Sequence, residues 1–328
     1  MKKFLALFMS LIMLFSLCSC GNGGENGDGT ADSGSSDGGI LRFVCTAEGA
    51  STIGLPWEVF GVDTALLVPC GESLCLERTD GTLEPALAKS WVIDPENLTI
   101  TFQLQEGVKF HDGSEFNAEV CVWNIEQQVA ANTLSDKIIS VEATGEYEVV
   151  LHLETYQNNI LSGMASRANS MISKESYDKN GEEWARANPV CTGPFKVTEY
   201  VQGSHISFDK NEDYWREGEP YLDGMEILFI RDVMTQNVAM QAEGDQSIDV
   251  LNTTNGEQIQ MLREMGFEVT SMPIGPVSLV PNSLDSSSPL SKYEVRLAIS
   301  YALDREAICN ARGFGILKPC LLYTSRCV

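Results

Sequence analysis

Residues 98–113 read LTITFQLQEGVKFHDG, and this stretch carries the clearest local pattern of the chain. Apolar and polar residues alternate over residues 98–104, which is typical of a strand with one buried face. Glycines bracket residues 107–113 and indicate a turn. Asn117 then occupies a favourable N-cap position before residues 118–129, whose apolar residues share one helical face. The stretch therefore predicts a strand, a turn and a helix, in that order.

Strand and helix patterns continue on both sides of this stretch. Short runs rich in β-branched and aromatic residues predict strands at residues 40–45, 147–153, 195–200, 206–210, 225–230 and 249–251. Amphipathic spacing predicts helices at residues 160–165, 235–243 and 293–307, the last packing through Val295, Leu297, Ala298, Tyr301 and Ala302. Strands interleaved with helices predict an α/β or mixed α+β fold.

The composition bounds the class of protein. The chain has 328 residues, 46 acidic against 22 basic side chains and a formal charge of −24. This length predicts about two or three domains at roughly 100–200 residues each. Hydrophobic residues at 43% and charged residues at 21% argue against wholesale disorder and against a polytopic membrane protein. A nucleic-acid partner is not expected, because phosphate binding needs clustered Lys and Arg.

The N-terminus has the pattern of an export signal. Two lysines precede an apolar run at residues 4–18, and the run closes with the sequence LCSCG, which resembles a lipobox. We therefore expect a signal peptide at residues 1–19 and diacylglycerol on Cys20, which would anchor the chain to the extracytoplasmic face of the cell membrane. Residues 20–39 are glycine-rich and predict a flexible tether. An ordinary secretory signal and an uncleaved anchor are the alternative interpretations.

Ten cysteines at first suggest a disulfide framework. Six remain when the signal, the lipidated residue and the C-terminal nine residues are set aside: Cys45, Cys70, Cys75, Cys121, Cys191 and Cys309. Cys70 and Cys75 are near enough in sequence to close a small loop, and their disulfide state stays open. Cys45 and Cys121 fall in strand and helix patterns, where buried thiols that behave as small apolar groups are expected.

The histidines do not predict an enzyme or a metal site. His111, His152 and His205 are too far apart in sequence to act as local metal ligands. His111 stands beside Asp112 in a turn, and no neighbouring nucleophile completes a catalytic arrangement. We therefore expect no catalytic residue, no cofactor and no metal.

Four motif groups occur in one order along the chain: LAKSW and GVKFHDG at residues 87–91 and 107–113, TGPF and NEDYW at 192–195 and 211–215, LDGME at 222–226, and VRLAISYALDREAI at 295–308. Together they resemble the family 5 solute-binding proteins of ABC importers, which deliver peptides, nickel and related small solutes. Two positions depart from the family pattern. Gln105 stands where Lys or Arg is usual, and Cys191 stands where Gly is usual.

The resemblance implies a type II clamshell of the periplasmic-binding-protein kind, with an extra inserted domain. Residues 40–62 and 190–273 would form the first lobe, residues 63–189 the inserted domain, and residues 274–319 the start of an incomplete second lobe. In such a fold, hinge closure buries a solute between the lobes. The work implied is binding rather than bond breaking.

The function implied is that of a monomeric substrate-binding lipoprotein that delivers oligopeptides to ABC permease subunits. A nickel or metal-chelate binding protein of the same family and a peptide-sensing signalling lipoprotein are the alternatives. Trp57 lies in the loop after the first strand, which in this family faces the cleft, and is a candidate ligand contact; packing is its other interpretation. Arg167 resembles an arginine with which some nickel- and metallophore-type members grip carboxylates; an ordinary surface arginine is the alternative.

The last nine residues, CLLYTSRCV at 320–328, resemble the translated end sequence of a transposase used to prepare sequencing libraries. We expect the native reading frame to have been cut near Pro319, so that most of the second lobe is missing. A chain cut there is expected to bind its ligand only weakly. A native stop codon after Val328 at the genomic locus would contradict this expectation.

Overall fold

The computed structural model describes residues 38–45, 52–244, 247–270, 279–314 and 316–318. The predicted signal peptide, Cys20, the tether up to residue 37 and the C-terminal nine residues lie outside the described residues. Within those described ranges, no helix is both long enough and apolar enough to cross a membrane. Strands and helices alternate along the chain, so the predicted mixed α/β class is confirmed.

The strands of the described residues are β1 (Ile40–Cys45), β2 (Cys75–Glu77), β3 (Leu83–Pro85), β4 (Ala88–Asp94), β5 (Thr99–Leu104), β6 (Ile138–Gly145), β7 (Glu148–Leu153), β8 (Phe195–Val201), β9 (His205–Lys210), β10 (Gly224–Phe229) and β11 (Val250–Leu251). The α-helices are α1 (Ala118–Ala130), α2 (Asn159–Met164), α3 (Lys174–Asn180), α4 (Glu182–Ala187), α5 (Val233–Gln241), α6 (Gly256–Glu264), α7 (Tyr293–Ala302) and α8 (Arg305–Gly313). Short 3₁₀ turns lie at Pro56–Glu58, Gly61–Leu67, Arg167–Asn169 and Pro289–Ser291.

A five-stranded sheet has the order β11-β1-β10-β9-β8. β1 runs parallel to both of its neighbours, and its Phe43 lies opposite Ile227 on one side and Val250 on the other. β9 is antiparallel to both β10 and β8. The apolar residues of one sheet face, among them Ile206 and Phe208, form a buried cluster that we call the five-strand core.

A second sheet has the order β4-β5-β7-β6, with every neighbouring pair antiparallel. The alternation predicted for β5 is confirmed, because Ile100, Phe102 and Leu104 are fully buried. They pack with Cys121 and Ile125 of α1 in a cluster that we call the four-strand core. β4 and β6 complete this sheet and β2 pairs with β3 in a short hairpin, three features that the sequence patterns did not predict.

Side-chain caps mark the residues at which two of the helices begin. Asn117 caps α1 as predicted, since its side-chain oxygen accepts a hydrogen bond from Val120 N at 3.1 Å. The predicted single helix over residues 293–307 is wrong, because α7 ends at Ala302 and Asp304 caps a new helix through Ala307 N at 2.9 Å. An aspartate side chain that bonds the following backbone favours a new start over continuation.

The predicted packing face of that segment is also not buried. None of the residues of α7 is buried, and Tyr301 is 82% exposed. The amphipathic pattern correctly predicted a helix, but within the described residues its apolar face stays exposed.

The strands of the five-stranded sheet come from two separated parts of the chain, residues 40–45 and residues 195–251. The four-stranded sheet comes entirely from residues 88–153. The division into a first lobe and an inserted domain stays a prediction, and we carry it forward as a proposal.

Candidate functional site

The segment Cys191–Phe195, here called the junction segment, leads from α4 into β8 and is pinned to the turn before β2. Gly193 N donates to the Cys70 carbonyl at 2.9 Å, and Phe195 N donates to the Pro69 carbonyl at 3.1 Å. A side chain at Gly193 would bring its Cβ within 2.4 Å of the Cys70 carbonyl oxygen. Only glycine fits this close approach between two backbone segments.

A buried carboxyl group, Glu72, lies beside the junction segment with only 6% of the residue exposed. It accepts hydrogen bonds from Thr192 Oγ1 at 2.9 Å, the Tyr214 hydroxyl at 2.8 Å and Trp215 Nε1 at 2.9 Å. Burial raises the pKa of the Glu72 carboxyl above its ordinary value of 4.5, while these three hydrogen bonds act in the opposite direction. The carboxyl therefore joins three segments of the chain around one buried acceptor.

His111 braces the junction segment from the turn that precedes α1. Its Nε2 lies 3.0 Å from the Gly193 carbonyl oxygen, and its Nδ1 accepts from Cys191 N at 3.4 Å. Burial lowers the pKa of His111 from 6.5 to about 4, so the ring is neutral at pH 7. Asp112 does not pair with this ring; its carboxylate accepts from Ser173 Oγ at 2.6 Å. His111 and Asp112 thus each bond to a different neighbouring segment of the chain.

Arg167 is half-buried and donates a hydrogen bond from Nη1 to the Gly71 carbonyl at 2.6 Å. Burial lowers the pKa of the guanidinium, while the charge of Glu72 acts to raise it. Because a guanidinium has five N–H donors, one bond to a carbonyl leaves the group able to bind a carboxylate as well. Arg167 is therefore held in place by the backbone beside a buried carboxyl.

Trp57 is 7% exposed and packs inside the five-strand core. Its ring meets the Trp123 ring edge to face, with centroids 6.0 Å apart, and Trp123 in turn meets Tyr177 at 5.1 Å. Lys174 Nζ lies 5.7 Å from the Trp123 ring centroid. The indole of Trp57 thus belongs to an aromatic cluster that links the turn after β1 to α1 and α3.

The fold brings the two predicted ligand residues onto neighbouring turns. The turn Pro56–Glu58, which carries Trp57, packs beside the turn Arg167–Asn169. The two turns are more than a hundred residues apart in sequence. We call this pair of turns, together with Gly71 and Glu72, the candidate site.

Sequence patterns did not predict Glu72 as a member of this group. A signal was present, since Glu72 is the one charged residue within residues 64–76. A lone charge in an apolar run must either disrupt the core or be buried with partners.

Two further kinds of site were compared with the candidate site among the described residues: groups of metal-binding side chains and surface depressions. No group of three or more His, Cys, Asp or Glu side chains in the described ranges is placed to hold a metal ion. A solvent-open depression of about 560 Å³ lies elsewhere, between α1 and α3, with Val120, Lys174 and Asp178 among its lining residues. Neither Trp57 nor Arg167 lines it.

Comparison with known proteins gives a family for this fold. The profile of the bacterial extracellular solute-binding proteins, family 5, matches residues 82–319. The oligopeptide-binding protein AppA of Bacillus subtilis is 29% identical over 248 residues, which cover 72% of this chain and 45% of AppA. The nickel-binding protein NikA of Staphylococcus aureus is 25% identical over 273 residues, covering 80% of this chain and 51% of that protein.

Solved structures agree with the fold. NikA from Brucella suis in complex with Fe(III)-EDTA superposes with a TM-score of 0.71 at 22% identity, covering 88% of this chain and 59% of that one. AppA from Bacillus subtilis with a nonapeptide superposes with a TM-score of 0.66 at 25% identity, covering 84% and 55%. These likenesses confirm the predicted type II periplasmic-binding-protein fold. The chain spans about half the length of the curated relatives it matches.

Proposed function

The chain belongs to the bacterial extracellular solute-binding proteins of family 5, and from this premise we propose that it captures oligopeptides for an ABC importer. The protein would hold its ligand outside the cytoplasmic membrane and deliver it to the permease subunits. It would act as a monomer, anchored through diacylglycerol on Cys20. The first lobe would consist of residues 40–62 and 190–273, with residues 63–189 inserted beside it.

The observation that carries this proposal is the position of Arg167, whose half-buried guanidinium is bonded to the backbone on the turn Arg167–Asn169. The bond to the Gly71 carbonyl holds the guanidinium in one place before a ligand arrives. A pre-positioned guanidinium loses little entropy on binding and is suited to the carboxylate of a peptide. The likeness to an oligopeptide-binding relative supports this class of ligand.

Nickel bound by a carboxylate chelator is the second candidate ligand. A guanidinium that grips a peptide carboxylate would also grip a chelator carboxylate, and a nickel-binding relative supports this alternative. Because the described residues offer no metal-binding cluster, such a metal would be held by its chelator and not directly by those side chains. A peptide-sensing lipoprotein is the third alternative, and genes for a permease and an ATPase beside this gene would argue against it.

We also propose that the protein is not an enzyme. The His111 ring is neutral and bonded on both nitrogens to the junction segment. The Asp112 carboxylate accepts hydrogen bonds from the hydroxyls of Ser114 and Ser173. Neither group is available as a general base, which supports binding as the sole activity.

Isothermal titration calorimetry on the full-length protein without its signal tests the proposal. Short peptides should bind saturably, and the R167A variant should lose roughly tenfold or more in affinity. The matched control is R78A, because Arg78 lies on the exposed β2–β3 hairpin, bonded to Glu84 at 2.6 Å. This control should retain the affinity of the unaltered protein.

Each other outcome has a definite meaning. Unchanged affinity in R167A would remove Arg167 from the site. Binding of nickel chelates without binding of peptides would select the second ligand class. Binding of neither would overturn the proposed function.

A further inference from the structure

The described residues contain six cysteines, all as free thiols: Cys45, Cys70, Cys75, Cys121, Cys191 and Cys309. Cys75 and Cys121 belong to the four-strand core, whereas Cys45, Cys70 and Cys191 belong to the five-strand core. The pair that sequence spacing suggests, Cys70 with Cys75, is therefore divided between two clusters. The fold instead brings Cys70 close to a cysteine that is distant in sequence.

Cys70 and Cys191 meet where the junction segment crosses the turn before β2. Their exposed fractions are 1% and 0%. The bond from Gly193 N to the Cys70 carbonyl, at 2.9 Å, fixes the two backbone segments against each other. Both side chains enter the same apolar cluster from these two paired segments.

The two thiols are polar neighbours in this cluster, and the Cys70 thiol also donates to the Leu67 carbonyl at 3.8 Å. A hydrogen bond with the Cys70 thiol, reinforced by burial, raises the pKa of the Cys191 thiol well above its ordinary value. In contrast, burial alone raises the pKa of Cys75 to about 12. The sulfur of Cys191 thus has another sulfur as its polar neighbour.

We propose that Cys70 and Cys191 form a disulfide in the exported protein. One thiolate attacks the disulfide of a thiol–disulfide oxidoreductase and gives a mixed disulfide, and the other thiolate then displaces the oxidoreductase sulfur. The two cysteines lose two electrons and two protons, and the oxidoreductase leaves as its dithiol. Proteins of an extracellular family fold where such bonds persist. The proposal rests on export and is independent of the ligand.

The bond would close a loop of about 120 residues, in the range where a cross-link restricts the unfolded chain strongly. It would tie the chain ahead of β2 to the junction segment, so that the entire four-stranded sheet lies within the loop. Because both sulfurs are buried, small reductants would not reach the bond in the folded protein. Its role would be structural, and it would form before the five-strand core closes.

Peptide mapping of the full chain, exported with its own signal into an oxidising compartment, tests the proposal. The protein is denatured and alkylated before any reduction and is then digested with trypsin and Glu-C. Cleavage at Glu58, Glu72, Arg186 and Lys196 puts Cys70 on peptide 59–72 and Cys191 on peptide 187–196, apart from the other cysteines. The expected result is that these two peptides are joined and separate only after reduction.

The stability of the same protein provides a second measurement. Reduction under conditions that open the bond should lower the thermal midpoint by roughly 10 °C. The C70S and C191S variants should have the lower midpoint without reductant, whereas the matched control C121S should keep its response to reductant because Cys121 lies in the other core.

The mapping needs no variant, so a variant that fails to fold does not weaken the test. Alkylated Cys70 and Cys191 on separate peptides before reduction would overturn the proposal. A bond from Cys70 to Cys75 would overturn it equally. Peptide binding plays no part in these measurements, so the disulfide and the proposed function can fail independently.

Discussion

Acid should destabilise the protein through His111, the buried histidine that braces the junction segment. In the folded chain its pKa is about 4, against an ordinary value of 6.5. The unfolded chain therefore binds more protons than the folded chain between these two values, and stability falls as the pH falls from 6.5 towards 4. The linkage predicts a loss of about 3 kcal/mol between pH 7 and pH 4 from this one group.

The H111Q variant isolates this contribution. A glutamine amide can still donate towards the Gly193 carbonyl, now 3.0 Å from His111 Nε2, but it does not titrate. The free energy of unfolding is measured by urea denaturation of both chains between pH 4 and pH 7. The other titrating groups are common to both chains. The free energy of unfolding of the unaltered chain, minus that of H111Q, should therefore fall by about 3 kcal/mol between pH 7 and pH 4.

A surface control separates titration from the simple loss of a histidine. His152 lies on β7, with its ring 2.8 Å from Glu142, and H152Q changes the composition in the same way. If the stability difference between the unaltered chain and H111Q is the same at pH 4 and pH 7, His111 is not held neutral by the fold. That result would refute the structural role assigned to it.

Two further substitutions test the junction, both by urea denaturation. E72A should cost about 3–5 kcal/mol, because it leaves three buried donors without their acceptor, whereas E77A at an exposed site on β2 should cost under about 0.5 kcal/mol. An equal cost for both would remove Glu72 as the centre of the buried group. G193A should cost about 3 kcal/mol, because its Cβ would lie 2.4 Å from the Cys70 carbonyl oxygen, and G145A, with its nearest contact at 3.6 Å, provides the matched control. A stable G193A protein would contradict the close approach.

Local patterns predicted the parts of the fold whose signal lies within a few residues. The alternation of β5 and the Asn117 cap of α1 are of this kind. β6 was missed because it lies at an edge of its sheet and most of its residues are exposed, so it shows no alternation. The break before Asp304 was missed because apolar spacing continues across it, and only the cap contact reveals a new helix.

The candidate site depends on contacts between distant segments, which spacing does not encode. Trp57 and Arg167 were selected separately, and their neighbouring turns emerge only from the packed chain. The sequence offered Cys75 as the partner of Cys70 because it is near in sequence, whereas in the fold Cys70 shares its buried cluster with Cys191 and Cys75 lies in the other cluster. The resemblance to the family predicted the fold from its motifs.

Native mass spectrometry of the full-length protein, incubated with a mixture of short peptides and nickel chelates, tests the central claim most directly. We predict a shift in mass that corresponds to one bound peptide per protein, and a much smaller bound fraction for R167A. A protein that stays unliganded in the peptide mixture, or that takes up only a metal chelate, would contradict the claim that it captures oligopeptides.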